Sequence, residues 1–180
     1  MSAPAPQSTD TVDGLAVIRR RPVDHDPDAP TVVLVHGAMD RAASFSRTMR
    51  RTGALDVVTY DRRGYAGSLS AGVAPDVATH ARDLSTVIDW SGARRVAVVG
   101  HSLGGTIGTA LALRGDDRVL ALAAFESPFP LLDDSFDQIG GGSVQIADEQ
   151  GSEAAAEHFY RLMVGEATWE RVRERDRLAR

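Results

Sequence analysis

The sequence predicts an α/β fold, a mostly parallel sheet covered by helices on both faces. Three observations carry this expectation. The runs TVVLVHG, DVVTYD, RVAVVG and VLALAAF are β-branched or apolar almost throughout, as strands covered on both sides are. Segments with apolar residues at helical spacing separate them. The resulting alternation of strand and helix makes neighbouring strands parallel through right-handed crossovers.

In chain order, residues 1–13 are rich in Ala, Pro, Ser and Thr with little to bury, so a disordered tail is expected. The core is expected over residues 14–130, with strands at 15–20, 31–36, 56–61, 95–100 and 119–125. Between them, 42–51 is a short mixed helix, and 75–90 places Val77, Ala81, Leu84, Val87 and Ile88 on one stripe. Residues 103–114 are small and apolar, as suits a helix pressed on a sheet. After Pro130 the composition changes. LLDDSFDQIGGGSVQ reads as loop, with the GGG at 140–142 a hinge, and 152–165 and 168–180 read as helices. Residues 131–180 are therefore expected to be a helical cap or a truncated C-terminal segment, and no later strand is visible.

Composition narrows the function. Apolar content of 43% and charged content of 25% are ordinary for a globular domain. A net charge of −5 leaves no basic excess to neutralise phosphates, so neither nucleic acid nor membrane is expected as a partner. Every one of the 20 basic residues is arginine, which removes Schiff-base chemistry and the P-loop lysine. With no cysteine there is no thiolate nucleophile and no cysteine-bound metal. No His and carboxylate cluster has metal-ligand spacing, so neither a metal nor another cofactor is expected. The N-terminus has neither a cationic start nor an apolar core, and the expected location is the cytoplasm.

Gly100-His101-Ser102-Leu103-Gly104 fits G-x-S-x-G between an expected strand and an expected helix. A sharp turn there lifts the serine hydroxyl above the sheet edge, and glycines let neighbouring segments approach closely. Acyl transfer also needs N–H groups aimed at the developing oxyanion. Leu103 supplies one at the helix start. Ala38, after the His36-Gly37 turn that follows TVVLV, supplies the other, with Gly37 letting the chain turn and His36 structural.

Taken together, VVLVHGAM, YDRRGYAGS and VVGHSLGG resemble the α/β-hydrolase superfamily over about residues 14–130, specifically its serine esterase, lipase-like and perhydrolase members. Asp61, Arg62, Gly64, Gly67 and Ser68 match the family's D-x-R-G-x-G-x-S loop, with Ala66 at a usual glycine and Arg63 read as widening the loop by one residue. A serine at the elbow is unlike the superfamily's epoxide hydrolases and haloalkane dehalogenases, which use aspartate there.

The resemblance implies a triad in the chain order Ser, acid, His, with the acid and histidine after later strands. Among the residues present, Glu126 at the end of the fourth long strand is the acid candidate, competing with a role in positioning the cap. His158 on the expected cap helix is the candidate base. The expected reaction is hydrolysis of a small ester or related acyl substrate through an acyl-enzyme on Ser102. Three arrangements stay open. The chain is a segment whose missing C-terminal part or second subunit supplies acid and base, or an inactive ligand-binding homologue, or self-sufficient through His158 and Glu126. The uncovered VLALA edge favours the first.

Overall fold

The computed structural model describes residues 7–129 and 142–172. These fall into two compact units, one ending at Ser127 and the other beginning at Pro128. The first unit holds a six-stranded sheet in the order β1-β2-β4-β3-β5-β6. The strands are β1 (Gln7–Val12), β2 (Leu15–Arg20), β3 (Thr31–Val35), β4 (Val57–Tyr60), β5 (Val96–His101) and β6 (Val119–Phe125). The pairs β4/β3, β3/β5 and β5/β6 are parallel, while β1 and β2 run antiparallel at one edge. The long strands fall within one residue of expectation.

Strand β1 corrects the expected disordered tail over residues 7–12, and residues 1–6 of that tail lie outside the described residues. Val12 pairs with Leu15 across a two-residue turn whose Asp13 and Gly14 take φ of 49° and 80°. Asp-Gly is the residue pair such a turn favours. The strand's exposed polar residues hid it, and the Trp90 indole, donating to Asp10 Oδ2 at 3.0 Å, ties it to the helix behind the sheet.

The core lies mainly on one face. Val33, Val35, Val58, Tyr60, Val96 and Val98 of the sheet are buried under α2 (Val77–Ser91) and α3 (Leu103–Leu113). From α2 come Ala81, Leu84, Val87 and Ile88, the stripe expected from sequence. Each large aliphatic side chain so buried contributes about 1.5–3 kcal/mol. Helix α2 starts after Asp76, whose carboxylate accepts the Thr79 N–H at 2.6 Å, so Pro75 lies outside it. On the other face Leu34 and Val57 pack with Met49. There the expected helix at 42–51 divides into a 3-10 turn, Ala42–Phe45, and the single turn α1 (Ser46–Met49).

Strand β6 is the far edge of the sheet, and its Leu120 and Phe125 are 57% and 62% exposed. The second unit contains α4 (Gly142–Gln150), α5 (Ser152–Val164) and α6 (Glu166–Trp169), with Tyr160 stacked on Trp169 at 6.0 Å. Helix α4 corrects the expected loop at its C-terminal end; its own helical pattern is weak, and it packs along α5. Residues 131–141 of the expected loop, Gly140 and Gly141 included, and residues 173–180 of the expected last helix lie outside the described residues, and the described part of that helix ends at Trp169. Among the described residues no helix is long and apolar enough to cross a membrane.

Candidate active site

Strand β5 turns into α3 through Ser102, whose φ of 50° and ψ of −126° lie in a region L-residues rarely enter. Holding a residue there costs on the order of 1–3 kcal/mol, so the surroundings must enforce it. They do so by contact. A Cβ on Gly100 would overlap the Gly104 carbonyl carbon, one on Gly104 the Val35 carbonyl oxygen, and one on Gly105 the Ser127 hydroxyl. The three glycines let β5, β3 and α3 cross closer than any side chain allows. The Ser102 N–H donates to Phe125 O at 2.8 Å, pinning the elbow to the end of β6. Ser102 itself remains partly open to solvent.

The turn after β3 packs against this elbow. A Cβ on Gly37 would lie 3.0 Å from Ser102 Cβ, so glycine is required there for space. The expectation that Gly37 makes the turn is corrected, because the positive φ, 54°, belongs to Met39. His36 is fully buried. Its Nδ1–H donates to Gly37 O at 2.9 Å, while Nε2 accepts the Arg62 N–H at 2.9 Å. Burial, then the charge of Arg62, lowers its pKa to about 4, so the ring is neutral near neutral pH. Among the described residues, the N–H groups of Ala38 and Leu103 have no hydrogen-bond partner.

The loop after β4 braces the arrangement. Asp61 accepts from the N–H groups of Ala42 and Gly67 at 2.8 and 2.9 Å. Ser68 Oγ donates to Asp61 O at 2.6 Å and accepts the Ala16 N–H at 2.8 Å. Asp61 to Ser68 spans as many positions as D-x-R-G-x-G-x-S, so the expected widening by Arg63 is corrected. Arg63 takes the motif's arginine position, paired with Asp83 at 2.7 Å, and Arg62 takes the variable one. Ala66, at the usual glycine, stands at φ 40°.

The acid candidate belongs to the first unit and the base candidate to the second. Glu126, at φ 51°, is exposed, and its Oε2 lies 3.6 Å from Nε2 of His101, whose ring tilts against Phe125. His101 and Val99 share the other face of β5 from the main core. His158 belongs to the second unit, on α5, where a Cβ on Gly142 would meet its Nε2 at 3.4 Å. His80, read from sequence as facing solvent mid-helix, is instead buried, accepting from Arg62 Nη1 at 3.0 Å. Among the described residues of the first unit no histidine is hydrogen-bonded to Ser102 Oγ.

Strain marks one edge of the sheet. Of the five non-glycine residues at positive φ among the described residues, Met39, Ala66, Ser102 and Glu126 follow β3, β4, β5 and β6, at the carboxyl ends of the strands. Ligand crevices of parallel α/β sheets form at that edge, and backbone strain gathers at working sites.

Fold and turn together define an α/β protein with a strained serine turn at the carboxyl edge of a mostly parallel sheet. The alpha/beta hydrolase fold family matches residues 30–175, and the chain belongs to it. The chain is 35% identical to epoxide hydrolase A of Mycobacterium tuberculosis over 133 residues, which are 71% of this chain and 40% of that protein. It is 34% identical to a putative carbamate hydrolase, RutD, of Caulobacter segnis over 138 residues, 72% of this chain and 50% of that one. A crystal structure of a membrane phospholipase A, described as a bacterial virulence factor, superposes with a TM-score of 0.58 at 27% identity, covering 69% of this chain and 40% of that one. The chain thus spans half or less of the length of these relatives.

Proposed function

We propose that the chain carries the nucleophile and oxyanion-binding part of a serine hydrolase acting on a small ester or related acyl compound, carbamates included. The strained elbow at Ser102 is the observation that supports this most. Ser102 Oγ attacks the carbonyl carbon, its proton passing to a histidine base, and the carbonyl electrons move onto oxygen. The N–H groups of Leu103 and Ala38 receive that oxyanion. Collapse expels the alcohol or amine with a proton from the histidine, and water then releases the acid from the acyl-enzyme. The epoxide hydrolase relative is a weaker guide to substrate, because that chemistry uses a carboxylate at the elbow and this chain has a hydroxyl.

The base and acid come, in this reading, from a C-terminal segment or second subunit that also covers the open edge of β6. A second reading is a binding protein of the same fold that does no chemistry; it is favoured by the absence, among the described residues of the first unit, of a base bonded to Ser102. Hydrolysis of p-nitrophenyl acetate by the chain with and without its continuation separates them. Activity that needs the continuation and falls at least a thousandfold in Ser102→Ala supports the first reading. Equal rates for the Ser102→Ala variant and wild type support the second.

A further inference from the structure

Arg62 is the largest fully buried side chain among the described residues, 0% exposed. Among the described residues no carboxylate pairs with it. A buried cation without a counter-charge is a poor stabilising device, so its hydrogen bonds must account for it. Nε donates to His36 O at 3.0 Å and Nη2 to Gly37 O at 2.7 Å. Nη1 donates to His80 Nε2 at 3.0 Å, and the ring of Tyr65 lies 4.4 Å from Cζ. Two of the three polar contacts therefore grip consecutive carbonyls of the turn that ends at Ala38.

The geometry of one peptide unit makes this grip consequential. The Gly37 carbonyl and the Ala38 N–H are opposite ends of a single planar trans amide. Gly37 O is held from one side by the guanidinium and from the other by His36 Nδ1–H. Fixing the oxygen fixes the direction of the N–H. Two donors on the oxygen, one of them charged, also polarise the amide and strengthen its N–H as a donor. Arg63, the neighbour at the motif's arginine position, makes no such contact and instead binds Asp83 and the Ala71 carbonyl.

We infer that Arg62 is a positioning residue for acyl transfer, its guanidinium gripping the Gly37 carbonyl so that the Ala38 N–H is aimed at the oxyanion formed on Ser102. The inference rests on Ser102 being the nucleophile. Arg62→Lys keeps the charge and loses the fork; Arg62→Gln keeps N–H donors and loses the charge. With the segment or subunit that supplies base and acid present, both variants are expected to react with a fluorophosphonate of small alkyl chain at Ser102 at least tenfold more slowly at saturation, with the half-saturating concentration within twofold of wild type. In protein labelled with 15N-alanine, the Ala38 amide resonance is expected to shift in both. Unchanged maximal rates in folded variants, or an Ala38 signal unmoved in both, overturn the inference. Failure of the wild type to react at Ser102 overturns the nucleophile reading instead, and the Ala38 signal still decides whether Arg62 holds the turn. If neither variant folds, the wild type decides: a scalar coupling from Arg62 Nη2 to the Gly37 carbonyl carbon through their hydrogen bond is expected, and its absence refutes the grip.

Discussion

At Ala66 the backbone takes a φ of 40° where related loops carry glycine. A Cβ in the left-handed region costs roughly 1–2 kcal/mol, and glycine removes it at a smaller entropic cost in the unfolded chain. Ala66→Gly is therefore expected to stabilise the protein by about 0.5–1 kcal/mol in denaturant unfolding; a loss of stability would show that the loop tolerates the methyl without strain. The glycines at 100 and 104 and the serine between them were legible in the sequence because close crossing of two backbones leaves one residue type. The burial of Arg62 was not. One arginine among 20 carries no local mark of the carbonyls it will meet, since those belong to a turn about 25 residues earlier in the sequence.

The hairpin β1/β2 teaches the same lesson in a longer unit. Its strand pattern was hidden by exposed polar residues, yet the Asp13-Gly14 pair between TDTV and LAVI was a readable turn signal. Gly14 stands at φ 80°, and a Cβ there would also lie 3.2 Å from Ala71 Cβ. Gly14→Ala is expected to cost about 1 kcal/mol or more and to speed amide exchange in β1 ahead of β3 and β5. Equal exchange changes across all strands would mean that the hairpin is not a separable element. Helix α2 was legible to within a turn because its apolar stripe and its Asp76 cap agree. Helix α4 lacked both.

Across the whole molecule, two buried histidines couple stability to pH. Burial first, and then the charge of Arg62, lowers His36 and His80 from 6.5 to about 4. The unfolded chain takes up a proton at each near pH 6.5 and the folded chain only near pH 4. Stability is thus fully present above about pH 6.5 and declines as pH falls toward 4, by up to about 1.4 kcal/mol per pH unit for each histidine. Urea unfolding at pH 7 and pH 5 measures this, and equal free energies at both would contradict the buried neutral rings. The parallel sheet and its elbow were readable from four apolar runs and one glycine pattern, both local features. Which groups act with Ser102 in the proposed reaction was not, because triad partners meet only through long-range folding.

The most direct measurement on the proposed nucleophile is the mass of the intact chain, with the segment or subunit proposed to supply its base present, after treatment with a fluorophosphonate, followed by peptide mapping. A single adduct is expected, on Ser102, and it is lost in Ser102→Ala. No adduct, or one placed on another residue and kept in Ser102→Ala, would contradict the proposed nucleophile.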